Sequence, residues 1–86
     1  MEYSAEYRRA AEKYLDSQTR STQTRIMDAV DALPKGDVRK LQGREGYRLT
    51  VGGFRVLFDY TDKLTIDGKI IVDVIAIGSR GDIYKK

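Results

Sequence analysis

The sequence predicts an α+β fold: an N-terminal strand, a helical hairpin and an antiparallel β-meander, in the order β-α-α-β-β-β. Apolar residues recur at helical spacing in the first half of the chain and alternate with polar residues in the second half. The dipeptides Gly52-Gly53 and Asp67-Gly68 mark hairpin turns between the alternating segments. We expect the helices to cover one face of the sheet and to leave the other face open.

The first half contains one predicted strand and two predicted helices. Residues 3–7 form the strand, and the helical pattern runs from Arg9 to about Leu33. The polar residues 17–21 are expected to separate the two helices, with Ser17 or Thr19 as the N-cap of the second. Two apolar stripes are predicted to face the sheet: Ala10, Tyr14 and Leu15 in the first helix, and Ile26, Met27, Val30 and Leu33 in the second. Pro34 ends the second helix, and residues 35–45 are predicted to be a loop.

The register of the first hairpin follows from its turn. If Gly52 and Gly53 are the central residues, Thr50 opposes Arg55 and Arg48 opposes Leu57. All four then lie on the open face, and their apolar neighbours, with Tyr47, Phe54 and Phe58 among them, form the core.

The second hairpin allows a further step. A two-residue turn at Asp67-Gly68, without a bulge, would place Arg55 opposite Arg80 and Asp73 on the apolar face. Two like charges directly opposite each other are unfavourable, and a bound anion would relieve that repulsion.

The composition of the chain limits which kinds of functional site it can hold. The 86 residues predict a single domain, residues 1–86, with no cysteine or histidine to hold a metal ion. No signal peptide or membrane span is expected, and the lack of cysteine fits the reducing cytoplasm. The net charge is +3. Six basic residues but only two acidic ones lie between Lys35 and Arg55. We interpret this local excess as a phosphate-binding surface.

Two motifs resemble the RelE/ParE superfamily of bacterial toxins, and the RelE branch more closely than the ParE branch. They are the hairpin YRLTVGGFRVLF at residues 47–58 and the ending AIGSRGDIY at residues 76–84. The order of helices and strands agrees with that family over most of the chain. The resemblance implies a cytoplasmic endoribonuclease that cuts messenger RNA in the ribosomal A site without a metal or other cofactor, and that a cognate antitoxin inhibits.

The resemblance also implies roles for individual residues. Arg55 matches the arginine that binds the scissile phosphate, Arg80 a second active-site arginine on the leaving-group side, and Tyr84 a C-terminal tyrosine that positions the nucleotide. Arg48 and Thr50 occupy two strand positions that are basic in many relatives. The basic segment that precedes them, with Lys40 and Arg44, is predicted to bind RNA, including rRNA, by charge.

Thr50 departs from the family pattern because a threonine cannot act as a base near neutral pH. Either Tyr84, Asp82 or Glu45 would then be the proton acceptor, or turnover would be low. Two other functions stay open at this point. The chain could be a ParE-like toxin that binds and inhibits gyrase, or a catalytically inactive toxin that only binds its antitoxin. Codon preference and the identity of the antitoxin do not follow from the sequence.

Overall fold

Two helices cover one face of a five-stranded mixed sheet, and no helix or strand among residues 2–79 covers the other face. The computed structural model describes residues 2–79 of the chain. Within them, no helix is long and apolar enough to cross a membrane. The elements are β1 (Tyr3–Tyr7), α1 (Arg9–Asp16), α2 (Arg20–Asp31), β2 (Asp37–Lys40), β3 (Tyr47–Val51), β4 (Phe54–Leu64) and β5 (Ile70–Ser79).

The sheet has the strand order β1-β5-β4-β3-β2. The antiparallel meander is confirmed, but β1 pairs with β5 in parallel, so the sheet is mixed and not antiparallel throughout. We expected the strand that begins at Tyr47 to run antiparallel to β1, and this prediction was wrong. That strand, β3, is parallel to β1, because the unpredicted strand β2 adds one more chain reversal.

The strand β2 lies where the sequence predicted a loop. It is the edge strand of the sheet and pairs antiparallel with β3. Three of its four residues are charged and exposed, and only Val38 packs against the core. Short, charged edge strands resist pairing with other chains, but they lack the apolar alternation by which a strand is predicted.

The helices begin and end close to the predicted positions. Thr19 is the N-cap of α2, and its side chain accepts a hydrogen bond from the backbone N–H of Thr22 at 3.2 Å. In α1 the buried residues are Ala11 and Leu15, whereas Ala10 is exposed. The predicted stripe was therefore rotated by about one residue, which a helix of only two turns does not resolve.

The core lies between the helices and the sheet. In α2, Ile26 and Val30 are buried, whereas Met27 is 42% exposed. Phe58 is fully buried, and Tyr47 and Phe54 pack against the core as predicted. The largest fully buried side chains come from both layers: Phe58, Ile26, Leu49, Val56, Val72 and Val74.

The two hairpins differ in how well local sequence predicted them. In the β3–β4 hairpin, Thr50 opposes Arg55 and Arg48 opposes Leu57, as predicted. Its turn has φ +59° at Gly52 and no positive φ at Gly53, as in a type II′ turn.

The β4–β5 register was predicted wrongly. Its loop has three central residues, because the N–H of Thr65 bonds to the carbonyl of Lys69, and the register shifts twice more along the strands. Arg55 consequently opposes Gly78 and not Arg80. The same shifts place Asp73 opposite Asp59, on the open face, where we had expected it on the apolar one.

Candidate nucleic-acid interface

Alternation along β3 and β4 places Arg48, Thr50 and Arg55 on the face away from the helices. Leu49 lies between Arg48 and Thr50 on β3, and Val56 follows Arg55 on β4. Both are buried in the core, so Arg48, Thr50 and Arg55 must point to the opposite side of the sheet. Arg48 and Arg55 are diagonal neighbours across the β3–β4 pair, and such positions are about 7–8 Å apart. Two predicted functional arginines therefore lie side by side.

A third arginine joins them from β2. Arg39 lies directly opposite Arg48, where facing Cβ atoms are about 5 Å apart. Arg39 and Arg48 thus form a like-charge pair across two strands that the sequence did not predict. The Nε of Arg39 lies 3.6 Å from Oδ1 of Asp37, an exposed pair that offsets part of the repulsion. Arg39 was not among the predicted site residues because its strand was interpreted as a loop.

The cations of β2, β3 and the connection between them line a cavity of about 410 Å³. Its lining residues are Arg39, Lys40, Leu41, Gln42, Arg44 and Arg48. None of these described residues is acidic, so the cavity combines four positive side chains. Lys40 and Arg44, predicted to bind RNA, both belong to it, and the Lys40 ammonium lies 5.3 Å from the ring centroid of Tyr47. The cavity suits a phosphate-bearing ligand.

The guanidinium of Arg55 is held by backbone carbonyls. Its Nη1 donates to the carbonyl oxygen of Phe54 at 3.2 Å and to that of Gly52 at 3.4 Å. Within residues 2–79 it forms no ion pair with a carboxylate, neither with Asp59 nor with Glu45. The Oδ1 of Asp59 instead accepts a hydrogen bond from the backbone N–H of Tyr60. The charge of Arg55 is thus oriented but not neutralised by these contacts.

Thr50 lies between a carboxylate and a guanidinium. On one side it opposes Asp37 of β2 and on the other Arg55 of β4. The sequence did not identify Asp37 as a site residue, since the β2–β3 pairing brings it there. Register therefore places a carboxylate directly opposite Thr50.

The remaining predicted site residues, Arg80 and Tyr84, lie outside the described residues, as does Asp82. Their proposed roles stay predictions. Within residues 2–79, no cluster of carboxylates is arranged to hold a metal ion.

The opposite half of the open face is acidic. Asp73 of β5 lies between Glu6 of β1 and Asp59 of β4. Counting only partners within residues 2–79, Asp73 alone of the three has a close cationic one: Arg8 donates from Nε to Oδ1 at 3.0 Å and from Nη2 to Oδ2 at 2.6 Å. This bidentate contact raises the pKa of Arg8. Because carboxylates repel phosphates, a polyanion would follow the β2–β3 side of the sheet and avoid the β1–β5 side.

Comparison with known proteins supports the fold. No protein-family model and no curated protein matches the sequence. A solved structure, the archaeal RelE–RelB complex from Pyrococcus horikoshii OT3, superposes with a TM-score of 0.65 and 24% identity. The match covers 95% of this chain and 99% of that chain. The chain has the RelE fold. The RelE-like fold predicted from the two motifs is thereby confirmed. A RelE fold positions side chains, and what the protein does depends on those side chains.

Proposed function

We propose that this protein is the toxin of a toxin–antitoxin pair, an endoribonuclease that cleaves messenger RNA in the ribosomal A site. The observation that carries the proposal is the adjacency of Arg48 and Arg55 on the open face, beside a cavity lined by four cations. Such a surface can bind several phosphates of one strand. An enzyme that acts on translating ribosomes works in the cytoplasm.

The reaction needs no cofactor in this proposal. The 2′-hydroxyl of a nucleotide attacks the adjacent phosphorus, its proton passes to a base, and the bond to the 5′-oxygen breaks as that oxygen takes up a proton. Arg55 binds the attacked phosphate and stabilises the charge that grows on its oxygens. The carbonyl contacts of Gly52 and Phe54 hold its guanidinium before the substrate arrives, so little reorganisation is needed. Arg48 positions the strand, Arg80 serves the leaving group and Tyr84 orients the nucleotide.

Thr50 cannot accept the proton of the 2′-hydroxyl, so another residue must act as the base. Asp37 adds a candidate to Tyr84, Asp82 and Glu45. It is a carboxylate directly opposite Thr50, and Thr50 is in turn opposite Arg55. A base must come within hydrogen-bond reach of the 2′-hydroxyl, and a nucleotide placed over Thr50 would bring that hydroxyl towards Asp37.

We propose an antitoxin as the protein partner. The chain with the matching fold was crystallised with RelB. On the present chain the basic half of the open face would attract an acidic segment, which would cover Arg48 and Arg55 and exclude RNA. The partner would also stabilise a small domain by mass action.

Thr50 supports a second candidate function, an inactive toxin that retains only antitoxin binding. Induced expression separates the two, with 5′ ends of messenger RNA sequenced at induction. The nuclease predicts growth arrest and new 5′ ends at codons within translated regions, both lost in Arg55→Ala. Arg9→Ala is the control, because it removes an exposed arginine from the helical layer.

Two outcomes would contradict the nuclease, and a third would contradict the role of Arg55 in it. Arrest without new RNA ends but with DNA breaks would indicate gyrase inhibition. No arrest at all, with tight antitoxin binding, would indicate the inactive toxin. Full toxicity of a folded Arg55→Ala protein would refute the role of Arg55.

A further inference from the structure

A further arginine contacts the β3–β4 turn from the helical layer. Arg25 is an exposed residue of α2, and its guanidinium lies against Gly52 in the β3–β4 turn. A Cβ atom built on Gly52 would lie 2.8 Å from Nη2 of Arg25 and 3.2 Å from its Cζ. The guanidinium therefore occupies space that only a residue without a side chain leaves free.

Arg55 contacts the same glycine from β4. Its Nη1 donates to the Gly52 carbonyl oxygen at 3.4 Å. Two guanidinium groups thus meet one residue of a tight turn. Within residues 2–79, neither group forms an ion pair with a carboxylate. Like charges that contact the same turn residue repel each other, and an anion bound by both would offset that repulsion.

We propose that Arg25 and Arg55 form a two-arginine phosphate site at the β3–β4 turn, in which Arg25 positions a backbone phosphate of single-stranded RNA. Guanidinium groups suit this ligand because each can donate two parallel hydrogen bonds to phosphate oxygens. The inference rests on the proposed function, since Arg55 belongs to both. It extends the RNA-binding surface from the β2–β3 cavity round the turn to α2.

The turn itself is adapted to this contact. Gly52 has φ +59°, a conformation that side chains rarely adopt, and a side chain there would also displace Arg25. Gly53, the next residue, has open space where its Cβ would be. Gly52→Ala and Gly53→Ala therefore form a matched pair: the first disturbs the position of Arg25, and the second does not.

The test is binding of a single-stranded 2′-O-methyl RNA oligonucleotide, which cannot be cleaved, measured by fluorescence anisotropy over a range of salt concentrations. Arg25→Ala is expected to weaken binding about tenfold. Loss of one phosphate contact should also reduce the slope of log K against log salt by about 0.7. Arg20→Ala removes the same charge from the exposed first residue of the same helix, and is expected to weaken binding less than twofold.

A double-mutant cycle tests whether the two arginines share one phosphate. Arg25→Ala and Arg55→Ala should be non-additive, since either substitution alone disrupts the joint site. Arg25→Lys should keep the salt slope but lose several-fold in affinity, because an ammonium cannot make the paired hydrogen bonds.

The outcomes distinguish this inference from the proposed function. If Arg48→Ala and Arg55→Ala weaken binding but Arg25→Ala behaves like Arg20→Ala, the two-arginine site is refuted and the RNA-binding face stands. Additive effects of the two substitutions would refute the shared phosphate. If none of the three variants changes the affinity, the RNA-binding function itself fails.

Discussion

The hydroxyl of Tyr7 allows a prediction whose size can be worked from the structure. Its oxygen is buried, and among the described residues it has no hydrogen-bond partner. Burial, with a smaller effect of the Asp31 carboxylate, raises the pKa of Tyr7 to about 12. A buried hydroxyl without a partner costs about 1–3 kcal/mol, because it loses its bonds to water. We therefore expect Tyr7→Phe to stabilise the protein by about 1 kcal/mol at pH 7, whereas most substitutions destabilise.

The pH dependence provides a second measurement. The folded-state pKa of Tyr7 lies above the unfolded value, so the fold favours the neutral phenol. The contribution of this raised pKa to the free energy of unfolding is fully present below pH 10 and is lost as the pH rises through about 12. A rise of two units corresponds to about 2.7 kcal/mol, and screening of a partly exposed ring reduces this to roughly half. As the pH rises from 10 to about 12, the free energy of unfolding should fall by about 1.3 kcal/mol more in the wild type than in Tyr7→Phe.

Urea unfolding at pH 7 and across the alkaline range measures both effects. Tyr3→Phe is the control, since it removes a hydroxyl from the same strand and keeps the ring that packs 5.3 Å from Tyr60. It should change the free energy of unfolding by less than about 0.5 kcal/mol. A Tyr7→Phe protein that is less stable than the wild type by 1 kcal/mol or more would show that the hydroxyl has a partner, and would refute the reasoning.

Three further predictions concern the open face. Arg48→Ala should reduce affinity for single-stranded RNA about tenfold, because it removes a charged contact to phosphate; unchanged binding in the anisotropy assay would contradict its role. Asp37→Asn should lower the cleavage rate on programmed ribosomes by 10²-fold or more while RNA affinity holds, as expected for a proton acceptor; equal losses in both would indicate a binding effect instead. Thr50→Lys should raise cleavage and toxicity, since it restores a cation beside Arg55; a variant that stays folded without any gain would show that Thr50 does not limit turnover.

The sequence by itself determined the local parts of this site. Gly52 and Gly53 specify a tight turn, the turn specifies the register, and strict alternation then places Arg48, Thr50 and Arg55 on one face. Each of these steps depends on neighbours in the chain, so each can be worked out from residue order. The motifs around the hairpin also carried the resemblance to RelE, which the superposition confirms for the fold.

Only the tertiary structure decided the contacts between distant segments. The edge strand β2 forms because β3 offers it hydrogen bonds, which brings Asp37 and Arg39 to the site. The register of β4 and β5 shifts along their length, and Arg55 is therefore paired with Gly78. The approach of Arg25 to Gly52 depends on how α2 lies over the sheet. Turns are encoded by adjacent residues, whereas edge pairing, bulges and layer contacts depend on the free energy of the whole assembled fold.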